Sequence, residues 1–217
     1  MLNMFEKLKI QSEGLRRNIV FGTAKVLTPR LHRDIQETYT FVQRVPRPFT
    51  LMLRDVFGDK PVVGCEIGFG LGHNCLSLLE TLNVERLVCV DPLIGQPYLD
   101  LGGVVRCHVG KSNQRENILR RFGGRVIFLE LSSDDAARAL FPGGFDFVYV
   151  DGLHTYVQCL RDLQNYFGLL KVDGFLGGHD FTRACEAGVV RAVLDFGLCV
   201  GQAPVVVMPD FWFQRKK

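Results

Sequence analysis

The fold is decided by one short stretch of the chain, Glu66-Ile67-Gly68-Phe69-Gly70-Leu71-Gly72. It continues the apolar run 62–65 and precedes a helix-like segment over about 73–82, a pattern that indicates a turn between a buried strand and a helix. Its alternating glycines allow a tight turn and let the backbone approach a ligand closely, because no Cβ atoms stand in the way. In doubly wound α/β sheets, a nucleoside ligand lies at such a turn, beyond the carboxyl ends of the strands.

The rest of the chain continues the alternation of strands and helices. Further strands are predicted at 87–90, 126–131, 145–150 and 175–177, an extra strand at 104–109, and a final strand or hairpin at 205–213. Helices are predicted at 134–140, 155–170 and 189–196, and another runs from a Ser112 cap to Phe122. Strands that alternate with helices predict a doubly wound, mainly parallel α/β sheet with helices on both faces.

The first 60 residues differ from the rest of the chain. Apolar residues recur there at three- to four-residue steps, and Thr28-Pro29 and Pro46-Arg47-Pro48 divide the region into two or three helices. We predict an N-terminal helical extension or lid over 1–60 and a nucleoside-binding domain over 61–217. Covering one edge of the sheet is the alternative role for the extension.

Composition describes an ordinary globular protein. The 217 residues suit one sizeable α/β domain with an added segment, and 47% hydrophobic with 23% charged residues excludes a disordered or fibrous chain. The net charge is only +3, although residues 1–60 carry eleven Lys and Arg against six Asp and Glu. An acidic partner or a membrane surface would suit that excess, but a solvated helical face is the simpler interpretation.

Several classes of function are disfavoured by what the sequence does not contain. There is no basic stripe interleaved with aromatic residues, so no nucleic-acid signature is visible, and no apolar run approaches the roughly 18 residues of a membrane span. The seven cysteines are scattered without a CxxC pair, which argues against a disulfide framework or a structural zinc site. We therefore expect a cytoplasmic protein.

Two acids flank the glycine-rich turn and indicate which nucleoside it binds. Asp91 closes the second strand 23 residues after Gly68, where its carboxylate can accept hydrogen bonds from both ribose hydroxyls. Glu66 would repel a pyrophosphate but suits a ligand that carries an ammonium and a sulfonium. The dinucleotide fingerprint also needs a glycine where the chain has His73. We therefore predict S-adenosylmethionine as the ligand, with contacts from Glu66, Asp91 and the turn residues Gly68, Phe69, Gly70 and Gly72.

Further along the chain, a combination of motifs resembles the class I S-adenosylmethionine-dependent methyltransferases. The turn followed by Val90-Asp91 is similar to the first two motifs of that family. The segment Val150-Asp151-Gly152-Leu153-His154-Thr155-Tyr156 resembles the (I/V)DGxHxY signature of a branch of small O-methyltransferase-like proteins, related to catechol and macrolide-sugar O-methyltransferases. The branch's LLKxGG and GHD(Y/F) motifs correspond to Leu169-Leu170-Lys171-Val172-Asp173-Gly174 and Gly178-His179-Asp180-Phe181.

The resemblance covers about residues 61–197. It implies a seven-stranded Rossmann-like sheet, and it implies methyl transfer to a hydroxyl of a small molecule or sugar. The chain departs from the family after the third strand, where an acid usually precedes a serine and Leu131-Ser132 stand instead. The adenine contact then passes to Ser133 or Asp134. Residues 93–110 are also longer than the usual connection, which suggests a substrate-specific loop.

The chemistry is expected where two neighbouring strands end. Asp151 follows one strand and His179-Asp180 follow the next, so parallel pairing would bring these side chains together at the rim that carries the glycine turn. One mechanism has Asp151, His179 and Asp180 hold Mg²⁺ or Mn²⁺, which would lower the pKa of the acceptor oxygen. The other uses His154 or His179 as a metal-free general base. Asp151 is also predicted to contact the cofactor. The alternative role for Asp151 and Asp180 is to cap the helices or turns that follow them.

Two other functions remain open from the sequence. A nicotinamide-dependent (NAD(P)) oxidoreductase is disfavoured by His73 and Glu66, and a non-catalytic interaction module would keep the same fold. The helical front segment and the apolar C-terminal stretch favour a homodimer. Aromatic side chains could line an acceptor pocket, although packing in the core is the simpler role for each: Tyr98, Tyr156, Tyr166, Phe181, Phe211, Trp212 and Phe213.

Overall fold

A computed structural model describes residues 45–92, 98–99, 105–106, 114–182 and 187–217. The helices are α1 Pro48–Phe57, α2 His73–Thr81, α3 Gln114–Phe122, α4 Ser133–Ala139, α5 Tyr156–Phe167 and α6 Ala187–Val200. The strands are β1 Val62–Ile67, β2 Val84–Val90, β3 Tyr98–Leu99, β4 Val105–Arg106, β5 Val126–Leu129, β6 Phe145–Val150, β7 Leu170–Gly178, β8 Val205–Val207 and β9 Asp210–Gln214. None of the helices described is long and apolar enough to cross a bilayer.

The main sheet has seven strands in the order β5-β2-β1-β6-β7-β9-β8. The first five are parallel to their neighbours, whereas β9 runs antiparallel to β7 and β8 antiparallel to β9. The first strand of the sheet, β1, lies in its centre. β2 and β5 are added on one side of β1, and β6 and the later strands on the other side, so the direction in which strands are added reverses between β1 and β6. The predicted doubly wound, mainly parallel seven-stranded sheet is confirmed, and its last part is a hairpin. The reversal point is where ligands bind in open α/β sheets.

The chain is divided into two compact units, and the seven-stranded sheet belongs to the larger one. β3 and β4 belong to the other unit, where they form an antiparallel pair at part of the predicted 104–109 strand. Residues 1–44, most of 93–110 and the Ser112 cap lie outside the described residues. α1 belongs to the unit of the sheet, although the sequence placed it in the N-terminal extension.

Alternate residues of the central strands face opposite sides of the sheet, as the two-residue period requires. On one side Val148 and Val150 join a core cluster with residues of α5 and α6. On the other side Phe147 and Tyr149 join a cluster that includes Phe49 of α1 and residues of α2. Helices therefore cover both faces. α1 packs so closely that a Cβ at Gly177 of β7 would lie 2.5 Å from the ring of Phe49.

Candidate functional site

The glycine-rich turn lies against the chain that follows β6. Gly68 donates a backbone hydrogen bond of 2.8 Å to the carbonyl of Val90 and has φ +90°, in the region that favours glycine. A Cβ at this position would lie 2.0 Å from the carbonyl oxygen of Asp151. The absence of a side chain at Gly68 therefore brings the turn and the main chain of Asp151 together at one rim.

Asp91 holds the turn from the end of β2. Its Oδ2 accepts hydrogen bonds from the backbone amides of Phe69 at 2.9 Å and Gly70 at 3.4 Å. These contacts fix the carboxylate beside the turn, at the place from which ribose recognition was predicted. The ring of Phe69 is buried and packs edge-on against Phe128, with 5.2 Å between the ring centroids. Gly72 caps the start of α2 with φ +76°, and a Cβ at this position would lie 2.5 Å from the ring of Phe69.

Glu66 is a buried acid at the end of β1, with 1% of its surface exposed. Its Oε1 accepts a hydrogen bond of 2.9 Å from Asn74 Nδ2, and Oε2 lies 3.8 Å from the thiol of Cys89. Burial raises the pKa of Glu66 to about 8, although the Asn74 hydrogen bond and the positive charge of Arg47 act in the opposite direction. A positively charged group placed next to this carboxyl would lower its pKa and favour the ionised form.

Four predicted side chains meet beyond the ends of β6 and β7. His154 Nε2 lies 3.1 Å from Asp180 Oδ2 and 3.5 Å from Asp151 Oδ1. His179 Nδ1 lies 3.1 Å from Asp180 Oδ1 and 3.8 Å from the same Asp151 Oδ1. Asp180 has φ +61°, a backbone conformation that a residue other than glycine adopts at a cost and that is frequent at functional sites.

The electrostatics of this cluster set the protonation states. Burial acts to raise the pKa of Asp151, but the charges of Arg47 and of the two histidines outweigh it, so the pKa is lowered. Burial acts to lower the pKa of His179, but Asp151 and Asp180 outweigh it, so the pKa is raised. The site therefore combines an ionised carboxylate with a histidine that readily takes up a proton.

Three of these side chains lie close enough together that they could hold a cation. Asp151, His154 and Asp180 each offer one ligand atom, and the three atoms lie within 4.8 Å of one another. Carboxylate oxygens with an imidazole nitrogen suit Mg²⁺ or Mn²⁺. The ligand set predicted from sequence had His179 in place of His154. In the structure the side chain of His179 is 2% exposed, whereas that of His154 is 28% exposed.

The residues predicted to contact adenine lie at the start of α4. Ser132 caps this helix by accepting from the amide of Asp135 at 3.1 Å. Ser133 Oγ accepts a hydrogen bond of 3.1 Å from Gln158 of α5, and Asp134 forms an ion pair of 2.7 Å with Arg161. Both residues thus contact α5, and their role toward a ligand stays a prediction.

The aromatic residues of the larger unit mostly serve packing. Tyr156 donates a hydrogen bond of 2.8 Å to Asp195, and Arg191 lies over its ring, so it fastens α5 to α6. Phe211, Trp212 and Phe213 are buried in the core. Tyr98 lies in β3, and its side chain is outside the described part of the structure.

A buried polar network beneath the rim was missed by the sequence analysis. Arg47 donates to Tyr149 at 2.8 Å and to Asp151 at 2.7 Å, and Tyr149 in turn donates to Asp210 at 3.0 Å. Asp210 also accepts from the amide of Phe49 at 2.9 Å. The signals were a cation between two prolines, Pro46-Arg47-Pro48, and a single acid within the apolar stretch 205–213.

Comparison with known proteins places this arrangement in a family. Residues 65–181 match the model of a family described as Methyltransferase domain. A search of curated protein sequences gave no match.

Solved structures share the fold at low identity. A 1,6-didemethyltoxoflavin-N1-methyltransferase of Burkholderia thailandensis, solved with 1,6-didemethyltoxoflavin and S-adenosylhomocysteine, has a TM-score of 0.57 and 16% identity over 95% of this chain and 89% of its own. A Staphylococcus aureus protein assigned as a caffeoyl-CoA O-methyltransferase has a TM-score of 0.54 and 13% identity over 94% of this chain and 100% of its own. A spermidine synthase of Thermotoga maritima has a TM-score of 0.52 and 14% identity over 77% of this chain and 59% of its own. At these identities the likeness concerns the fold.

Proposed function

The chain belongs to the methyltransferase domain family and is an S-adenosylmethionine-dependent methyltransferase, and from this premise we propose that it methylates a hydroxyl of a small molecule or sugar with the help of a divalent cation. The observation that carries the proposal is the convergence of Asp151, His154 and Asp180 beside the glycine-rich turn. Family membership also decides against the nicotinamide-dependent oxidoreductase.

The glycine turn and its two acids form the cofactor site in this proposal. S-adenosylmethionine supplies a methyl group already activated by its sulfonium, so the protein mainly has to align donor and acceptor. Gly68, Gly70 and Gly72 let the backbone approach the cofactor, and the amide of Phe69 orients Asp91 beside it. Glu66 ionises to pair with the ammonium, and Asp91, oriented by the turn amides, accepts from the ribose hydroxyls. Ser133 and Asp134 are the candidates for adenine.

The acceptor lies at the rim in this proposal. A divalent cation held by Asp151, His154 and Asp180 would lower the pKa of an acceptor hydroxyl. His179 holds Asp180 by its other oxygen, and the low pKa of Asp151 keeps that carboxylate ionised. Two carboxylates at this rim suit a hard cation and therefore an oxygen acceptor rather than a nitrogen.

The proposal is tested by metal removal. Full-length protein is treated with EDTA, and methyl transfer from labelled S-adenosylmethionine is measured on a panel of catechols and sugars. We expect turnover to disappear with EDTA and to return with Mg²⁺ or Mn²⁺. Asp151→Asn and Asp180→Asn should reduce the restored turnover at least about 100-fold with little change in affinity for S-adenosylhomocysteine. Asp55→Asn, which changes an exposed acid of α1, is the matched control.

Other outcomes separate the parts of the proposal. Turnover that survives EDTA would refute the cation. If it then disappeared in His154→Gln, His154 would be the general base, because its imidazole is partly exposed and oriented by Asp180. A protein that bound NAD but neither S-adenosylmethionine nor S-adenosylhomocysteine in calorimetry would refute the whole proposal.

A further inference from the structure

We propose that Arg47 is a positioning residue for the rim: it holds one oxygen of Asp151 so that the other oxygen faces His154 and His179. This inference rests on the proposed function, since it assigns a task to the support of that site. It concerns a residue outside the 65–181 segment that matches the family.

The contacts of Arg47 leave Asp151 little freedom. Arg47 Nη1 lies 2.7 Å from Asp151 Oδ2 and 2.8 Å from the hydroxyl of Tyr149, and its side chain is 7% exposed. The guanidinium also lies over the ring of Tyr149, 5.5 Å from the centroid. With Oδ2 occupied, Oδ1 is the oxygen that lies 3.5 Å from His154 Nε2 and 3.8 Å from His179 Nδ1. Rotation of the carboxylate would break this partly buried ion pair.

Arg47 is itself fixed by hydrogen bonds on the side of Tyr149 and Asp210. The hydroxyl of Tyr149 accepts from Arg47 and donates to Asp210 Oδ1, and Asp210 Oδ2 accepts from the amide of Phe49. The network thus joins β6, the start of β9 and the residues at the start of α1. Because a buried cation is costly unless it is paired and hydrogen-bonded, removing one member is expected to disturb the others.

Positioning and plain electrostatics make opposite predictions. Arg47 carries a positive charge next to a proposed cation ligand, so charge alone predicts that its removal strengthens cation binding. If Arg47 instead orients Asp151, its removal should weaken cation binding, as loss of a residue that orients a metal ligand commonly does by about 10- to 100-fold. The sign of the change therefore decides between the two.

The experiment measures Mn²⁺ affinity by electron paramagnetic resonance on full-length protein loaded with S-adenosylhomocysteine. We expect Arg47→Met to weaken Mn²⁺ binding about 10- to 100-fold and Arg47→Lys to recover part of the loss. Arg54→Met removes the same charge from an exposed position of α1 and should change nothing. Affinity for S-adenosylhomocysteine should stay within about threefold in all variants, which a general loss of structure would not allow.

Two further measurements keep the test decisive. If Arg47→Met does not fold, Tyr149→Phe keeps the charge but removes the hydroxyl that holds Arg47, and it should weaken Mn²⁺ binding several-fold. A folded Arg47→Met that binds Mn²⁺ as tightly as the unsubstituted protein, or more tightly, overturns the inference. If the unsubstituted protein binds no Mn²⁺, the cation part of the proposed function fails. The inference is then judged by the imidazole NMR signals of His154 and His179, which must shift in Arg47→Met and not in Arg54→Met.

Discussion

Glu66 is an acid whose burial opposes its ionisation in the folded protein. Its carboxyl is buried between β1 and α2, with a hydrogen bond from Asn74 and a contact with the thiol of Cys89. Burial raises its pKa from 4.5 to about 8, so the folded protein prefers the protonated form more strongly than the unfolded chain does. Such a site is consistent with a carboxyl that pairs with a cofactor cation rather than with a neighbouring side chain.

This pKa shift predicts a pH-dependent cost in stability. The contribution of Glu66 is fully present below about pH 4.5 and is lost as the pH rises through about 8, because ionisation is harder in the folded state. The side chain in Glu66→Gln cannot ionise. The melting temperature of this variant minus that of the unsubstituted protein should therefore increase by several degrees from pH 5 to pH 9. Thermal denaturation at pH steps measures the difference. Parallel curves over this range would show that Glu66 does not titrate as described.

At the residue scale, the sequence predicted what depends on local pattern. Glu66, Gly68 and Asp91 follow from a strand, a turn and the end of the next strand, and the structure brings them together. Arg47 contacts Asp151 across 104 positions of sequence, and a contact of that range has no local signature. The same limit applies to the choice between His154 and His179 as the third candidate ligand of the proposed cation, because it depends on side-chain direction and exposure at the rim.

At the element scale, the β1–α2 turn depends on one glycine more than on its neighbour. Gly68→Ala would place a methyl group 2.0 Å from the carbonyl oxygen of Asp151 at φ +90°, whereas no described atom beyond Gly70 and its two chain neighbours lies within 4 Å of a Cβ at Gly70. We expect Gly68→Ala to lower the free energy of unfolding by more than about 2 kcal/mol and to abolish cofactor binding. Gly70→Ala, with φ +49°, should cost about 1 kcal/mol. Urea denaturation and calorimetry with S-adenosylhomocysteine measure both, and equal effects would contradict the close approach.

The elements themselves were predicted with unequal precision, for a physical reason. β1, the second half of β2 and β6 are mostly buried and apolar, so the sequence located them well, but the exposed, charged start of β2 at 84–86 was not predicted. β7 was predicted only at 175–177, but it extends over Leu170–Gly178. Its pairing with β6 is irregular after Leu170, and Asp173 has φ +68°. A polar, irregular segment within a strand lacks the periodicity on which strand prediction rests.

At the largest scale, segments from both sides of the family-matched region meet in one core cluster on one face of the sheet. Phe49 of α1 packs on Tyr149 and Trp212, with ring centroids 5.5 and 6.2 Å apart. Asp210, at the start of β9, joins Phe49 and Tyr149 by hydrogen bonds. The sequence-based boundary at residue 60 separated α1 from the domain because residues 1–60 share a helical pattern and the family resemblance begins only at about residue 61, whereas burial of Phe49 makes α1 part of the core.

This arrangement predicts that one buried acid couples α1 to the C-terminal hairpin. Asp210→Ala would leave the Phe49 amide and the Tyr149 hydroxyl without their acceptor, and each unsatisfied buried group costs about 1–3 kcal/mol. We expect a loss of about 2–4 kcal/mol in unfolding free energy, together with faster amide hydrogen exchange in both α1 and β9. Glu85→Ala, which removes an exposed acid from β2, is the matched control and should alter neither. If exchange rose in β9 while α1 stayed protected, aromatic packing alone would hold α1, and the network would support the rim without joining the two segments.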